Sequence, residues 1–176
     1  CVFRGMGDDA ANVHGFYLTV RRIEGCRVIV SLDVAPQDFE MDLPDPGDQL
    51  ELVRSDTLLP YGTGTVLQVF WDGISRQAEL ELSGDFMPQA AVGDLLTNRS
   101  KAARLVFEDN TAENIRGRAL LVQTRHAVVR DNRFVHCTGQ GVHVDTATGW
   151  MEVLGKRDIR IERNRFLACG YGRTKY

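Results

Sequence analysis

Three stretches decide the fold: Leu105-Val-Phe-Glu-Asp-Asn110-Thr111, Ala127-Val-Val-Arg-Asp-Asn132-Arg-Phe134 and Ile159-Arg-Ile-Glu-Arg-Asn164-Arg-Phe166. Each is a short apolar or β-branched run followed by two polar residues and an Asn. The asparagines are 22 and then 32 residues apart, and the longer interval holds Thr146-Ala-Thr-Gly-Trp150-Met-Glu152-Val-Leu-Gly155, read as a ten-residue loop insertion. Cys137 and Cys169 each fall five residues beyond their Asn, a place taken by Ile115 in the first copy. A period of about 22 residues, with short strands and no helical pattern, points to a right-handed parallel β-helix. One coil cannot bury its own apolar face, so coils stack and like residues form ladders. An Asn at a fixed bend is expected because it tolerates left-handed backbone and can bond its own main chain and its neighbour's. Leucine-rich repeats share the period, but their Leu-x-x-Leu-x-Leu framework is missing.

The first twenty residues fit the same scheme, with Cys1-Val-Phe-Arg as a strand and Ala10-Ala-Asn-Val-His-Gly15 leading into Phe16-Tyr-Leu-Thr-Val20. From Arg21 to Leu96 the pattern changes. Longer alternating runs such as Cys26–Ser31, Gln49–Arg54, Thr65–Phe70 and Gln77–Leu82 are separated by Gly, Asp and Pro turns, Leu43–Asp48 among them. Period-two alternation with one polar face marks antiparallel strands, and five or six of them predict a small barrel or sandwich. The expected architecture is therefore all-β, with residues 1–20 and 97–176 forming β-helix coils and 21–96 an inserted antiparallel β-barrel. Such insertions enter at exposed loops whose ends lie close together.

Composition narrows the function classes. Of 176 residues, 43% are hydrophobic and 26% charged, which excludes a disordered chain, and no apolar run reaches the length of a spanning helix. Twenty-one Lys and Arg against 24 Asp and Glu give a net charge of −3, with no basic footprint for nucleic acid and no polybasic membrane patch. A neutral sugar is compatible with this balance. The four cysteines, Cys1, Cys26, Cys137 and Cys169, form no Cys-x-x-Cys pair and are expected to be free, buried thiols, with Cys137 and Cys169 stacked rather than bridged. His126, His136 and His143 lack metal-ligand spacing, so neither a metal nor a cofactor is implied; a turn carboxylate holding calcium would be adventitious. A chain starting at Cys1 without Met and stopping after a strand-like pattern is expected to be part of a longer protein. Coil faces exposed by truncation are expected to self-associate.

Gly7-Asp8-Asp9-Ala10 is the sharpest chemical signal. Adjacent carboxylates on a regular strand point to opposite faces, whereas a bend permitted by Gly7 would present both to one groove. Two carboxylates held close resist ionising together and are suited to holding and deprotonating a water. That is the general-base half of an inverting glycosidase. A solvated turn or a calcium-type ligand uses the same residues.

The run Gly7-Asp8-Asp9-Ala-Ala-Asn12-Val-His14-Gly15-Phe-Tyr17, the inserted barrel, and then Asn114-Ile-Arg116-Gly-Arg118-Ala, Gln123-Thr-Arg125, Trp150-Met-Glu152 and Arg157–Phe166 resemble glycoside hydrolase family 110. The resemblance extends over nearly the whole chain. It implies an exo-acting α-galactosidase that removes terminal α-1,3-linked galactose, including that of blood-group-B-type glycans, by inversion on a β-helix scaffold. Asp8 and Asp9 would be the base-side carboxylates, and the general acid would stand one coil earlier, before Cys1. An extracellular or periplasmic location follows from the substrate class alone.

Around this pair, Asn12 and His14 follow closely enough to touch substrate, although a turn His serves structure equally well. Arg116, Arg118 and Arg125 offer fixed donors to sugar hydroxyls, or pair with acidic neighbours. Trp150 in the loop could stack on the apolar face of a galactose ring, and Glu152 beside it could accept from a hydroxyl or simply solvate the loop. Two other readings remain open. A polygalacturonase-like hydrolase also uses neighbouring Asp residues on a β-helix, but Arg160-Ile-Glu162 stands where a uronate-binding Arg-Ile-Lys element is expected. A non-catalytic module binding glycan or a partner chain is the third.

Overall fold

The computed structural model of the chain describes residues 1–32, 43–84, 89–152 and 155–172. The fold is all-β. The chain divides into two compact units, one made of Cys1–His14, Ala103–Thr146 and Lys156–Tyr176, the other of Gly15–Ala102 and Ala147–Gly155.

The first unit contains three parallel sheets. In one, β1 (Val2–Arg4), β10 (Thr111–Ile115), β13 (Arg133–Cys137) and β16 (Arg165–Leu167) lie side by side. A second joins β2 (Ala11–His14), β11 (Leu120–Gln123) and β14 (Val142–Val144), and a third joins β9 (Leu105–Glu108), β12 (Ala127–Arg130) and β15 (Ile159–Glu162). Consecutive strands thus belong to different sheets. The chain returns to the first sheet after one repeat, so Thr111 pairs with Arg133 and Arg133 with Arg165. Phe107, Ala112, Ile115, Leu120, Val122, Ala127, Val129, Phe134 and Cys137 form the buried core between the sheets.

The asparagines make a continuous ladder at the bend between the third and first sheets. Asn132 Oδ1 accepts from the main-chain N–H (2.9 Å) and the side-chain amide (3.2 Å) of Asn110, and Asn164 Oδ1 does the same for Asn132 at 3.0 and 2.9 Å. The side-chain amide of Asn132 also donates to the Phe107 carbonyl at 2.8 Å, and that of Asn164 to the Val129 carbonyl at 2.8 Å. The left-handed residue of each bend is not the Asn, as the sequence led us to expect, but the one before it: Asp109 (φ 52°), Asp131 (57°) and Arg163 (54°). This places the Asn side chain inward, where its amide reaches the next coil. A second column of left-handed residues, Gly5, Asn114, His136 and Ala168, repeats at the following bend.

The phenylalanine stack shows how strictly like residues align. Phe3, Ala112, Phe134 and Phe166 share a register, and where the small Ala112 leaves space, Phe107 from the neighbouring strand fills it. Ring centroids step 5.9 Å from Phe3 to Phe107, 6.4 Å to Phe134 and 5.1 Å to Phe166, all within stacking range. Cys137 stands in register with Ile115 and is buried; burial, then the neighbouring Cys169, pushes its thiol up to about 12. All four cysteines are free, but Cys1 and Cys26 are exposed rather than buried, since neither lies on a core-facing position.

In the second unit, β3 (Tyr17–Glu24), β4 (Arg27–Ser31), β7 (Gln77–Ser83), β6 (Pro60–Asp72), β5 (Gln49–Val53) and β8 (Leu95–Asn98) form a closed antiparallel barrel in that order. Alternate residues Leu18, Val20, Val28, Val30, Leu50, Leu52, Ala78, Leu80 and Leu82 fill it. Closure leaves no edge strand. A buried carboxylate, Asp94, is satisfied by Arg54 (3.1 Å), the Tyr61 hydroxyl (2.6 Å) and the Ala91 N–H (3.1 Å). Burial, reinforced by this carboxylate, raises the Tyr61 phenol above its ordinary value.

Two boundaries differ from expectation. The run Phe16–Val20, read as a repeat strand, enters β3, which pairs antiparallel with β8 through Tyr17–Thr97, Leu18–Leu96 and Thr19–Leu95. Thr97 and Asn98 likewise lie in β8 rather than in the repeat. The loop with Trp150 also groups with the barrel, because the Tyr17 N–H donates to the Met151 carbonyl at 2.8 Å and Met151 packs with Tyr17, Val53 and Leu95. An apolar run of five residues carries no mark of whether its partner will be parallel or antiparallel.

Two stability tests follow from the bends. Asn132→Ala removes an amide that is 2% exposed and strands the Phe107 carbonyl and the Asn110 N–H, at a cost of about 3 kcal/mol. Asn164→Ala strands the Val129 carbonyl and the Asn132 N–H, both on buried residues, at a cost of about 2 kcal/mol; urea unfolding of each variant against the wild type measures the two losses. At the exposed side of the same bend, Arg163 Nε and Nη2 each donate to Asp131 at 2.8 Å, and these bonds hold the Asp131 carboxyl below its ordinary value. Its stabilising contribution is therefore complete above the unfolded carboxyl pKa and disappears as pH falls through the lower folded one. Thermal midpoints of the wild type and Asp131→Asn should differ at about pH 7 and converge near about pH 2.

Candidate active site

Asp8 and Asp9 occupy the turn joining β1 to β2. The left-handed residue of this approach is Gly5 (φ 65°), not Gly7, which lies outside that region and has open space where a Cβ would be. The bend we expected Gly7 to permit is thus made two residues earlier. The turn is laid onto the equivalent turn of the next coil. The Ala10 N–H donates to the Arg118 carbonyl at 3.1 Å and the Ala11 N–H to the Ala119 carbonyl at 3.2 Å. Below that, the Gly139 N–H donates to the Gly117 carbonyl at 2.9 Å and the Gly170 N–H to the Gly139 carbonyl at 2.7 Å. The acidic pair therefore rides on a column of stacked turns.

The two carboxylates have different surroundings. Asp9 is held by one residue in three ways: its Oδ1 accepts from the Arg118 main-chain N–H (2.7 Å) and from Nε (3.0 Å), while its Oδ2 accepts from Nη2 (2.7 Å). The Asp9 side chain is 13% exposed. Asp8 is exposed, and its Oδ1 accepts the Asp9 N–H at 2.9 Å. Two carboxylates turned to one groove and together holding a water were the expectation; one clamped carboxylate beside one open to solvent is the arrangement found. The reason is Arg118, whose alternative role of pairing with an acidic neighbour is the one realised.

Gly117 makes this possible, and the sequence reading passed over it. A Cβ at Gly117 would lie 2.6 Å from Asp9 Oδ1 and 3.0 Å from both the Asp8 carbonyl carbon and the Asp9 nitrogen. The acidic turn fits only over a residue with no side chain. The available signal was the placement of Gly117-Arg118 at the same point of its coil as Asp8-Asp9.

The remaining candidates are distributed more widely. Asn12, exposed, and His14, half-buried, lie on β2, in register with Leu121 and Gln123 of β11. Both are thus on the coil that carries the acidic pair. Arg116 is exposed, and its N–H donates to the Met6 carbonyl at 3.0 Å. Arg125 is buried, which sets its guanidinium within the packing and not on an open face. Trp150, exposed, and Glu152, half-buried, belong to the barrel unit, where Glu152 bridges Phe16 and Ala147. Among the described residues no group of three His, Cys, Asp or Glu side chains is arranged to hold a metal ion. His126 and His143 instead face Asp158 (3.0 Å) and Asp145 (3.1 Å).

Stacked parallel sheets with acidic side chains on a turn, joined to a closed barrel, define the class of all-β scaffold seen here. No protein-family model matches the chain. Curated proteins do. Alpha-1,3-galactosidase B of Bacteroides fragilis is 30% identical over 94% of this chain, and alpha-1,3-galactosidase A of Akkermansia muciniphila is 29% identical over 97%. Alpha-1,3-galactosidase B of Phocaeicola vulgatus is 28% identical over 94%. The aligned region is 30%, 29% and 29% of those relatives' own lengths, so the chain spans less than a third of each. The chain is thus related to the α-1,3-galactosidases of the glycoside hydrolase family 110 type.

The seat of the acidic turn is open to test. Gly117→Ala should cost about 2 kcal/mol, since the turn must lift off its neighbour to admit the methyl group. Gly7→Ala should stay within about 0.5 kcal/mol of wild type. Chemical denaturation of both variants checks the contrast, and equal losses would contradict the packing described.

Proposed function

We propose that these residues form part of a galactoside hydrolase that removes terminal α-1,3-linked galactose with inversion. In this reading the three parallel sheets are the faces of a right-handed parallel β-helix into which the barrel is inserted. The observation that carries the proposal is the fixed Asp8–Asp9 turn in a chain related along almost its whole length to α-1,3-galactosidases. An exposed carboxylate beside a clamped one suits a base that takes a proton from water. As the water oxygen bonds to the anomeric carbon, the glycosidic C–O bond breaks. The departing oxygen takes its proton from a carboxylic acid other than Asp8 and Asp9.

Asn12 and His14 would then bond sugar hydroxyls from the adjoining strand, and Arg116 from the next turn. Trp150 and Glu152 belong to the other unit and keep their proposed role as glycan contacts there, Trp150 by an exposed ring that suits an apolar sugar face. Arg125, being buried, would act by supporting its surroundings. The names of the relatives favour a galactoside over a uronate. A glycan substrate of this kind implies an extracellular or periplasmic site of action. Val2 and Val106 at one end of the stack, and Ile161, Phe166 and Leu167 at the other, are exposed apolar residues on edge strands, which suits further coils or a second copy stacking there.

The test uses the full natural chain carrying these residues, with nitrophenyl α-galactoside and with branched and linear α-1,3-galactosides. Asp8→Asn should lower kcat by about a thousandfold. Proton NMR of the first product formed should show β-galactose. Turnover that survives replacement of both Asp8 and Asp9 by Asn would remove the proposal.

A further inference from the structure

We propose that Arg118 is a positioning residue that assigns the two neighbouring carboxylates different tasks, fixing Asp9 so that Asp8 is the one that draws the proton from water. The inference rests on the hydrolase reading above and deepens it.

The argument starts from what a carboxylate can accept. An ionised Asp offers lone pairs on two oxygens and no donor. At Asp9 both oxygens are engaged, Oδ1 by the Arg118 N–H and Nε, Oδ2 by Nη2. Two of the three donors belong to a planar guanidinium whose fork matches the carboxylate, which makes the contact directional as well as strong. Three donors thus occupy three of its about four lone-pair sites, and only Oδ2 keeps one open. At Asp8 the hydrogen bond from the Asp9 N–H uses Oδ1, and the side chain faces solvent. Asp9 is thus suited to orient water or a hydroxyl by its fixed negative charge, and Asp8 to accept the proton.

The clamp also fixes Asp8. The Asp8 carboxylate is tied to the Asp9 N–H, and the Asp9 main chain sits on Gly117 while its side chain is gripped by the residue after Gly117. One dipeptide, Gly117-Arg118, therefore supplies both the space and the grip that set the acidic turn. Neither residue needs to touch the sugar to do so.

The experiment is a double-mutant cycle in the full natural chain, read by steady-state kinetics on nitrophenyl α-galactoside. Arg118→Ala should lower kcat by about a hundredfold, as expected for a misplaced reacting group. KM should change by less than about threefold, because no ground-state contact is lost. In the Asp9→Asn background the same substitution should lower kcat by less than about threefold, since the residue it acts through is already altered. Guanidinium ion added to Arg118→Ala should restore kcat by about tenfold, and ammonium should not, because only guanidinium reproduces the planar fork. Arg118→Lys keeps the charge without the fork and covers the case in which the alanine variant does not fold. Its kcat should fall by about tenfold at an unchanged melting temperature.

Losses that add fully in the double variant, or wild-type kcat in Arg118→Lys, would overturn the positioning role. The hydrolase reading fails separately, if the unmodified chain does not turn over the galactoside or if Asp8→Asn leaves turnover intact.

Discussion

Lateral hydrogen bonding between successive passes of the chain is what the first unit depends on. Its strands are three to five residues long, too short to hold together as hairpins, and each sheet has only three or four of them. What fixes them is that every pass repeats the one before it closely enough for whole bends to align. The Asn110–Asn132–Asn164 ladder is the clearest instance, because an amide carries both a donor and an acceptor and so can bond the rung on either side. With its partners satisfied and Asn132 buried at its centre, such a ladder makes register costly to change: a slip by one residue would strand amide and carbonyl groups together.

The same alignment governs the turns. Where two turns lie one over the other, the lower one must leave room for the upper, and Gly117 does so for Asp8 and Asp9. The Asp9–Arg118 contact is then a by-product of register. Residues 109 positions apart in the sequence meet because β2 pairs in parallel with β11, which brings the turns that precede these strands together. The ordering of the acidic pair is in this sense a property of the stack, with the main-chain bonds Ala10–Arg118 and Ala11–Ala119 setting the height and Arg118 setting the direction.

This explains which parts of the molecule were legible from the sequence. The Asn spacing, the shared place of Cys137, Cys169 and Ile115, and the alternation of the barrel strands are local patterns that repeat, so they can be read without a structure. The Ala112 position is not of that kind. Its register predicts an aromatic, and only the packing reveals that Phe107 moves in from the next strand. The strand β3 was equally opaque, since its partner in β8 lies near residue 96 and nothing in Phe16–Val20 distinguishes that partner from a parallel one. Asp8 and Asp9 could be singled out by type and spacing. That one would be clamped and the other exposed depends on a non-local arginine, and although pairing with an acidic neighbour is the commoner role of such a residue, nothing local names Asp9 as the partner.

The division between the carboxylates also bears on why such chemistry would be built on a stacked turn and not on a free loop. A loop can bring acidic groups together, but two like charges at close range push each other apart unless something compensates. Here the compensation is a guanidinium whose own backbone is fixed by the rungs on both sides: its carbonyl accepts from Ala10, and a Cβ at Gly139 would come within 2.9 Å of its side chain. The main chain of the cation is therefore set by the same stacked turns as the anion it holds. Rigidity of this kind costs little once the stack exists, because the repeat has already ordered the main chain. Carboxylates on such a turn are held by the main-chain bonds beneath it, and Asp8, the exposed member of the pair, stays open to solvent.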